Sequence, residues 1–351
     1  MNASHAGAAV LALHFGEPET SDLAEVTDFL ERIFFANARL EPGADRRARS
    51  RELAERRAPG LIEDYERIGG SPLTGQARSQ AALLSEALSR RGAALPVETG
   101  MQFTHPTIDE ALARLRERDP ARLVLLPVYP LCGPSTTVAA LSQVEAALEA
   151  AGWNPETLEV TGWHRHPDYG ALRANAIRRA ADEAGLDLGA EDTRLVFSAH
   201  GTPLSYVREG SRYVEYVEEW CADQAGRVGV ERWTLGYQNH ANRGVEWTQP
   251  SIEDAIAGLE GVDRVLVDPV SFMHEQSETL VELDHDLAGD ARSLDLDFHR
   301  VPVPHSDDAF GEVLADLVLA ALGEPIEGLP ERRSCRCRPG ATLCFNGDPP
   351  A

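Results

Sequence analysis

The 351-residue sequence predicts an α/β fold of two Rossmann-like lobes, each a mostly parallel sheet flanked by helices, with an active-site cleft between them. Three observations carry this expectation. Short, nearly continuous apolar runs alternate with longer helical stretches, the pattern of strands covered on both faces. The order strand, Pro turn, helix, strand occurs twice, in "MQFTHPTIDEALARLRERDPARLVLLPVYP" and in "LGYQNHANRGVEWTQPSIEDAIAGLEGVDRVLVDPVSF". The chain is also longer than one ordinary core supports. The lobes are placed at residues 1–155 and 156–328, with a cysteine-containing tail at 329–351.

Taken in order, the strands are "AAVLALHFG", "PVETGMQ", "RLVLLPVYP", "TLEVTGW", "TRLVFSAHG", "RWTLGYQ" and "DRVLVDPVSF". Helical stretches between them include "TIDEALARLRER", "YGALRANAIRRAADEAG", "YVEYVEEWCADQAGR" and "SIEDAIAGLEG". Ligands of such sheets bind beyond the carboxyl ends of the strands. The loops after Pro130, His200 and Phe272 lie at those ends and carry polar groups.

Composition excludes several classes. A net charge of −24 argues against nucleic acid and against electrostatic docking on an anionic membrane. Every basic residue is arginine, so a Walker loop lysine and lysine Schiff-base chemistry are both ruled out. No apolar run approaches the length of a membrane span. "MNASHAGAAVLALHFG" lacks a basic segment before its apolar part, so it reads as a first strand and not a signal peptide. Cytoplasm is the expected compartment, with a weak peripheral membrane contact through Phe34 and Phe35 as the variant of it. Ordinary packing is the alternative for those two rings. The oligomeric state is not legible.

Two segments carry candidate chemistry. In "LVFSAHGTPLSYVREG" an apolar strand stops at a small-residue turn that presents His200. Such a histidine is commonly structural, yet Ser198 and Ala199 leave room before the ring, and a neutral imidazole accepts a proton or binds a metal. In "VSFMHEQSETLVELDHDLAG" a helix starting near Ser277 spaces Glu278, Glu282 and Asp286 at i, i+4 and i+8, on one face. A solvated acidic face is the plain alternative. Stacked like charges are mildly destabilising, however, and a carboxylate stripe leading from a crevice suits a hard divalent cation or protons.

"LVFSAHGTPLSYVREGSRY" resembles the signature of the ferrochelatase family, and "PVSF…SETLVELD" resembles its second signature. "LHFGEPET", "RIGGSPL", "VYPLCGPSTT" and "WHRHPDYGAL" extend the likeness in the family's order. The resemblance implies insertion of Fe²⁺ into a porphyrin, protoporphyrin IX or coproporphyrin III, with release of two protons in haem synthesis. It implies His200 as base or metal ligand, Glu278 as the carboxylate opposite, and Glu282 and Asp286 as the acidic row behind. Phe15 and Tyr129 match wall positions, with core packing as their alternative. Where the family commonly has a second histidine this chain has Gln276, which cannot titrate, and an imidazole stands two positions earlier as His274. Both are expected to face the substrate, with His274 standing in for the lost titratable group or carboxylates alone relaying protons. Rivals are a cobalt or nickel tetrapyrrole chelatase and a non-catalytic haem-binding relative.

The tail places Cys335, Cys337 and Cys344 on one loop. Three thiolates need a fourth ligand for zinc or an iron–sulfur cluster. Some ferrochelatases are similar, and the resemblance implies a [2Fe–2S] cluster with Cys132 as the fourth ligand. A zinc site and an unligated tail are the alternatives, and Cys221 reads as a buried structural thiol.

Overall fold

The computed structural model describes residues 5–37, 45–239, 244–329 and 343–345. The first part of the chain runs β1 (Ala8–His14), α1 (Leu23–Ala36), α2 (Arg46–Ile68), α3 (Leu73–Arg90), β2 (Val97–Met101), α4 (Ile108–Arg116), β3 (Arg122–Pro127), α5 (Ala139–Ala151) and β4 (Glu156–Thr161). The second part continues with α6 (Pro167–Ala184), β5 (Thr193–His200), α7 (Leu204–Arg208), α8 (Tyr213–Val228), β6 (Trp233–Gln238) and α9 (Ile252–Ala257). It ends with β7 (Arg264–Pro269), α10 (Ser277–Leu280), α11 (Ala288–Ser293), β8 (Asp297–Arg300), α12 (Asp308–Ala321) and the short β9 (Leu343–Cys344).

Two parallel sheets result. The first has the order β2-β1-β3-β4-β9 and the second β6-β5-β7-β8. Leaving β9 aside, both follow one plan, in which the first strand sits between the second and the third. All seven residues of β1 are buried, as a strand with helices on both faces must be. The sequence repeat maps onto this plan. Met101 N–H donates to Pro106 O at 2.8 Å, and Tyr237 N–H donates to Pro250 O at 3.0 Å, at matching points of the two sheets. Each turn then opens a helix through a hydroxyl cap, Thr107 for α4 and Ser251 for α9.

The lobe boundaries differ from the sequence division. β4 begins at Glu156, yet it pairs with β3 and so completes the first sheet. β9, in the tail, pairs with β4 through Val160↔Leu343 and Thr161↔Cys344. The C-terminal α12 also returns to the first lobe. Arg90, the last residue of α3, and Arg91, which follows it, both bind Glu312, and Arg91 binds Asp316 as well. Phe310 packs near Trp163 and Tyr169, with centroids 6.3 Å from each. Apolar periodicity does not say which sheet a helix covers, so the sequence division followed chain order instead.

Candidate active site

His200 is the last residue of β5, next to the point where strand order reverses between β5 and β7. Its N–H donates to Ser271 Oγ at 2.9 Å, and Tyr213 Oη donates to its carbonyl at 3.1 Å. The ring Nδ1 lies 2.6 Å from the carbonyl of Gly201. A carbonyl only accepts, so Nδ1 carries a proton and Nε2 is the exchangeable atom. Nε2 faces Glu278 Oε1 at 3.1 Å. Burial pulls the imidazole down, but the charge and hydrogen bond of Glu278 outweigh it and carry His200 up to about 9. About a third of the ring remains open to solvent (33%), so the pair sits at a mouth and not in a sealed core.

Glu278 lies on α10, in a segment anchored at many points. Gln276 Nε2 donates to Glu278 Oε2 at 2.5 Å. Gln238, at the end of β6, donates to the Glu278 carbonyl at 2.8 Å and to Glu282 Oε2 at 3.0 Å, while its own Oε1 accepts from Ser198 at 2.8 Å. Burial and the Glu278 charge raise Glu282 to about 7. Upstream, the fully buried Arg173 binds Asp268 and donates to the carbonyls of Phe272 and Pro269 at 3.3 and 3.2 Å. Phe272 lies 6.5 Å from the His200 ring, centroid to centroid.

The acidic row departs from the expected geometry. After one α-turn the chain becomes π-helical over Glu282–Leu287, where Asp286 N–H donates to Val281 O at 3.0 Å. The wider turn separates the row. Glu282 stays beside Glu278, whereas the exposed Asp286 reaches Arg67 of α2 at 3.3 Å. Four-residue spacing does not distinguish an α- from a π-turn, and π-turns concentrate at functional sites.

The other expected residues separate in the same way. His274 does not turn toward His200; it is buried edge-on against His14, with centroids 5.1 Å apart. Gln276 does reach the site, as a donor to Glu278. Phe15 packs edge-on against Phe103 at 4.7 Å and Phe29 at 6.4 Å, and Tyr129 Oη donates to Gln102 Oε1 at 2.9 Å. Both stand just past strand ends of the first sheet and are half-buried. Among the described cysteines, Cys132 and Cys344 are buried near the same corner. The loop before Cys132 accepts from His164 N–H through Pro130 O at 3.1 Å, and Cys344 pairs beside Thr161. Cys335 and Cys337 lie outside the described residues, and no set of three metal-ligating side chains occurs among the described ones.

Two participants escaped the sequence reading. Gln238 appeared as an ordinary strand end. Glu17, in the loop after β1, is buried and accepts from Ser277 Oγ at 2.5 Å, from Ser277 N–H at 3.2 Å and from Ser71 Oγ. Burial pushes it up to about 6, against those hydrogen bonds. Glu17 is one of 57 acidic residues, so the sequence gives it no prominence.

The sequence profile of the ferrochelatase family matches residues 7–322. The chain belongs to the ferrochelatase family. A curated ferrochelatase of Nostoc sp. is 35% identical over 286 residues, covering 78% of this chain and 71% of the relative. One from Synechocystis sp. is 32% identical over 330 residues, covering 90% and 83%. The fold is also that of CbiX, described as the terminal enzyme for biosynthesis of siroheme in denitrifying bacteria. That structure has a TM-score of 0.51 at 18% identity, over 89% of this chain and 99% of its own. SirB from Bacillus subtilis gives 0.51 at 12% identity, over 72% and 92%. The chain is thus a metal-ion chelatase of the lyase class, with ferrous iron and porphyrin as substrates in haem synthesis. Among the described residues no helix is long and apolar enough to cross a membrane.

Proposed function

We propose that Fe²⁺ insertion takes place at the His200–Glu278 pair, on protoporphyrin IX or coproporphyrin III. The 3.1 Å contact between Nε2 and Oε1, at the meeting of the lobes, is the observation that supports this most. Insertion breaks two pyrrole N–H bonds, forms four Fe–N bonds and releases two protons. With Nδ1 committed to Gly201, Nε2, which faces Glu278, is the atom that exchanges the proton and that, once deprotonated, takes a pyrrole proton or holds the incoming iron. Glu278 stabilises the imidazolium while His200 is charged and offers a carboxylate to the cation when it is not. Glu282, held near neutrality, is placed to take a proton onward. Asp286, on the solvent side with Arg67, receives the cation or passes protons out. Phe15 and Tyr129 form the wall against the macrocycle, Gln276 holds Glu278 in place of a titratable relay, and His274 supports the loop from behind.

We further propose a [2Fe–2S] cluster on Cys132, Cys335, Cys337 and Cys344. Two of the four thiols are buried near the same end of β4, which fits the Cys₄ donor set of such a cluster. Bound there, the cluster would tie the tail to the body of the chain, since chelation itself transfers no electrons.

An anaerobic assay with Fe²⁺ and each porphyrin in turn, read as loss of free-porphyrin absorbance, tests the site. Turnover that His200→Ala abolishes is expected. Binding of both porphyrins without turnover would overturn the reading and favour a porphyrin-binding relative. Iron and acid-labile sulfide per chain, lost in Cys344→Ser, is the expectation for the cluster; protein purified anaerobically without sulfide would refute it.

A further inference from the structure

The segment bearing Glu278 belongs to the second lobe, yet much of its support comes from the first. Gln80 Nε2 donates to Met273 O at 2.7 Å, and Glu275 N–H donates to Gln76 Oε1 at 2.8 Å. Gln76 and Gln80 are one turn apart on α3. Glu17 takes the next residues along, through both the N–H and the hydroxyl of Ser277. Ser71 completes its shell, and Thr74 Oγ1 donates to the Glu17 carbonyl at 3.0 Å.

Glu17 is costly where it stands. It is 5% exposed, and no cation lies within ion-pair distance of it among the described residues. Burying a carboxylate without a counter-charge is unfavourable, and hydroxyl and amide donors only partly offset that. Packing alone is served by a neutral side chain of the same shape. What the carboxylate adds is strong, directional bonds to two donors of Ser277, the residue next to Glu278.

We propose that Glu17 is a positioning residue for iron insertion, a first-lobe carboxylate that fixes Ser277 and thereby sets Glu278 against His200. The pair is then assembled from both lobes: His200 rides on its own sheet, and Glu278 is held from across the cleft. This rests on reading His200 and Glu278 as the pair that receives iron.

The test is steady-state kinetics of Glu17→Gln, Glu17→Asp, Ser277→Ala and Glu278→Gln, with Fe²⁺ and porphyrin varied separately. Glu17→Gln is expected to raise KM for Fe²⁺ about tenfold, since small misplacements of reacting groups are expensive, and to leave KM for porphyrin unchanged. Ser277→Ala moves the same constant less, and adds little in the Glu17→Gln background because the two share one contact. Glu17→Asp restores part of the loss. A folding defect lowers kcat per total protein without moving KM for Fe²⁺, so it does not imitate this result. Unchanged KM for Fe²⁺ in Glu17→Gln, or in Ser277→Ala should the former not fold, overturns the proposal while Glu278→Gln still raises it. If Glu278→Gln itself leaves iron kinetics untouched, the site reading falls and takes this inference with it.

Discussion

β1 and β5 hold the same place in two sheets of the same plan, and each ends in a histidine. His14 and His200 nevertheless have opposite characters. His14 is fully buried edge-on against His274, neither ring nitrogen has a hydrogen-bond partner among the described residues, and burial drives it down to about 3. His200 is partly open, Glu278 faces it, and it rises to about 9. The partners, His274 and Glu278, come from one segment four residues apart. A strand-end imidazole therefore becomes chemically useful through the group set against it, and topology alone does not supply that group.

The comparison breaks most visibly in a pair of truncations. His200→Ala should lower kcat by about 10²- to 10⁴-fold, the usual worth of a positioned base. His14→Ala should keep kcat within severalfold while lowering the melting temperature. Equal losses of turnover would erase the distinction. Glu278→Gln comes next, with a loss of about 10²-fold and a change of pH dependence. In the wild type, activity that requires neutral Nε2 climbs as pH rises toward about 9. Removing the Glu278 charge leaves burial as the main influence, so the midpoint should fall below 6.5, as read by the pH–rate profile. Stability runs the opposite way. The pair contributes fully below about 6.5, and that contribution is lost as pH rises through about 9.

A gain-of-charge variant sharpens the contrast. His274→Glu sets a carboxylate beside His14 and should lift its titration from about 3 by about one to three pH units, visible by NMR. Smaller still, Tyr129→Phe removes the bond to Gln102 and should raise KM for porphyrin about two- to fivefold with kcat little changed, at about 1 kcal/mol for one hydrogen bond. Asp286→Asn should be the mildest, less than about twofold on turnover, because the exposed Asp286 is the outermost of the row and Glu278 and Glu282 keep the inner carboxylates, while the lost ion pair costs only about 0–1 kcal/mol of stability.

The strands and their parallel pairing were legible because a run buried on both faces leaves an unbroken apolar stretch. His200 was legible because it ends such a run before a glycine, and Glu278 through its place in the second signature. The rest depends on contacts that local pattern does not encode. Glu17 meets Ser277 across 260 positions. His14 ends a strand as His200 does, yet nothing in "LALHFG" announces that its neighbour is another imidazole. The π-turn hides in spacing that an α-helix shares, which is why Asp286 was grouped with Glu282.

The return of α12 to α3 bears on how the protein is made. A ribosome delivers this helix after both sheets, so Arg90 and Arg91 wait for Glu312 while more than two hundred later residues are synthesised. Until then the face around Trp163 and Tyr169 lacks Phe310 and stays open. The first lobe is therefore finished last, and a nascent chain released short of residue 308 carries an apolar surface that invites chaperone capture or association.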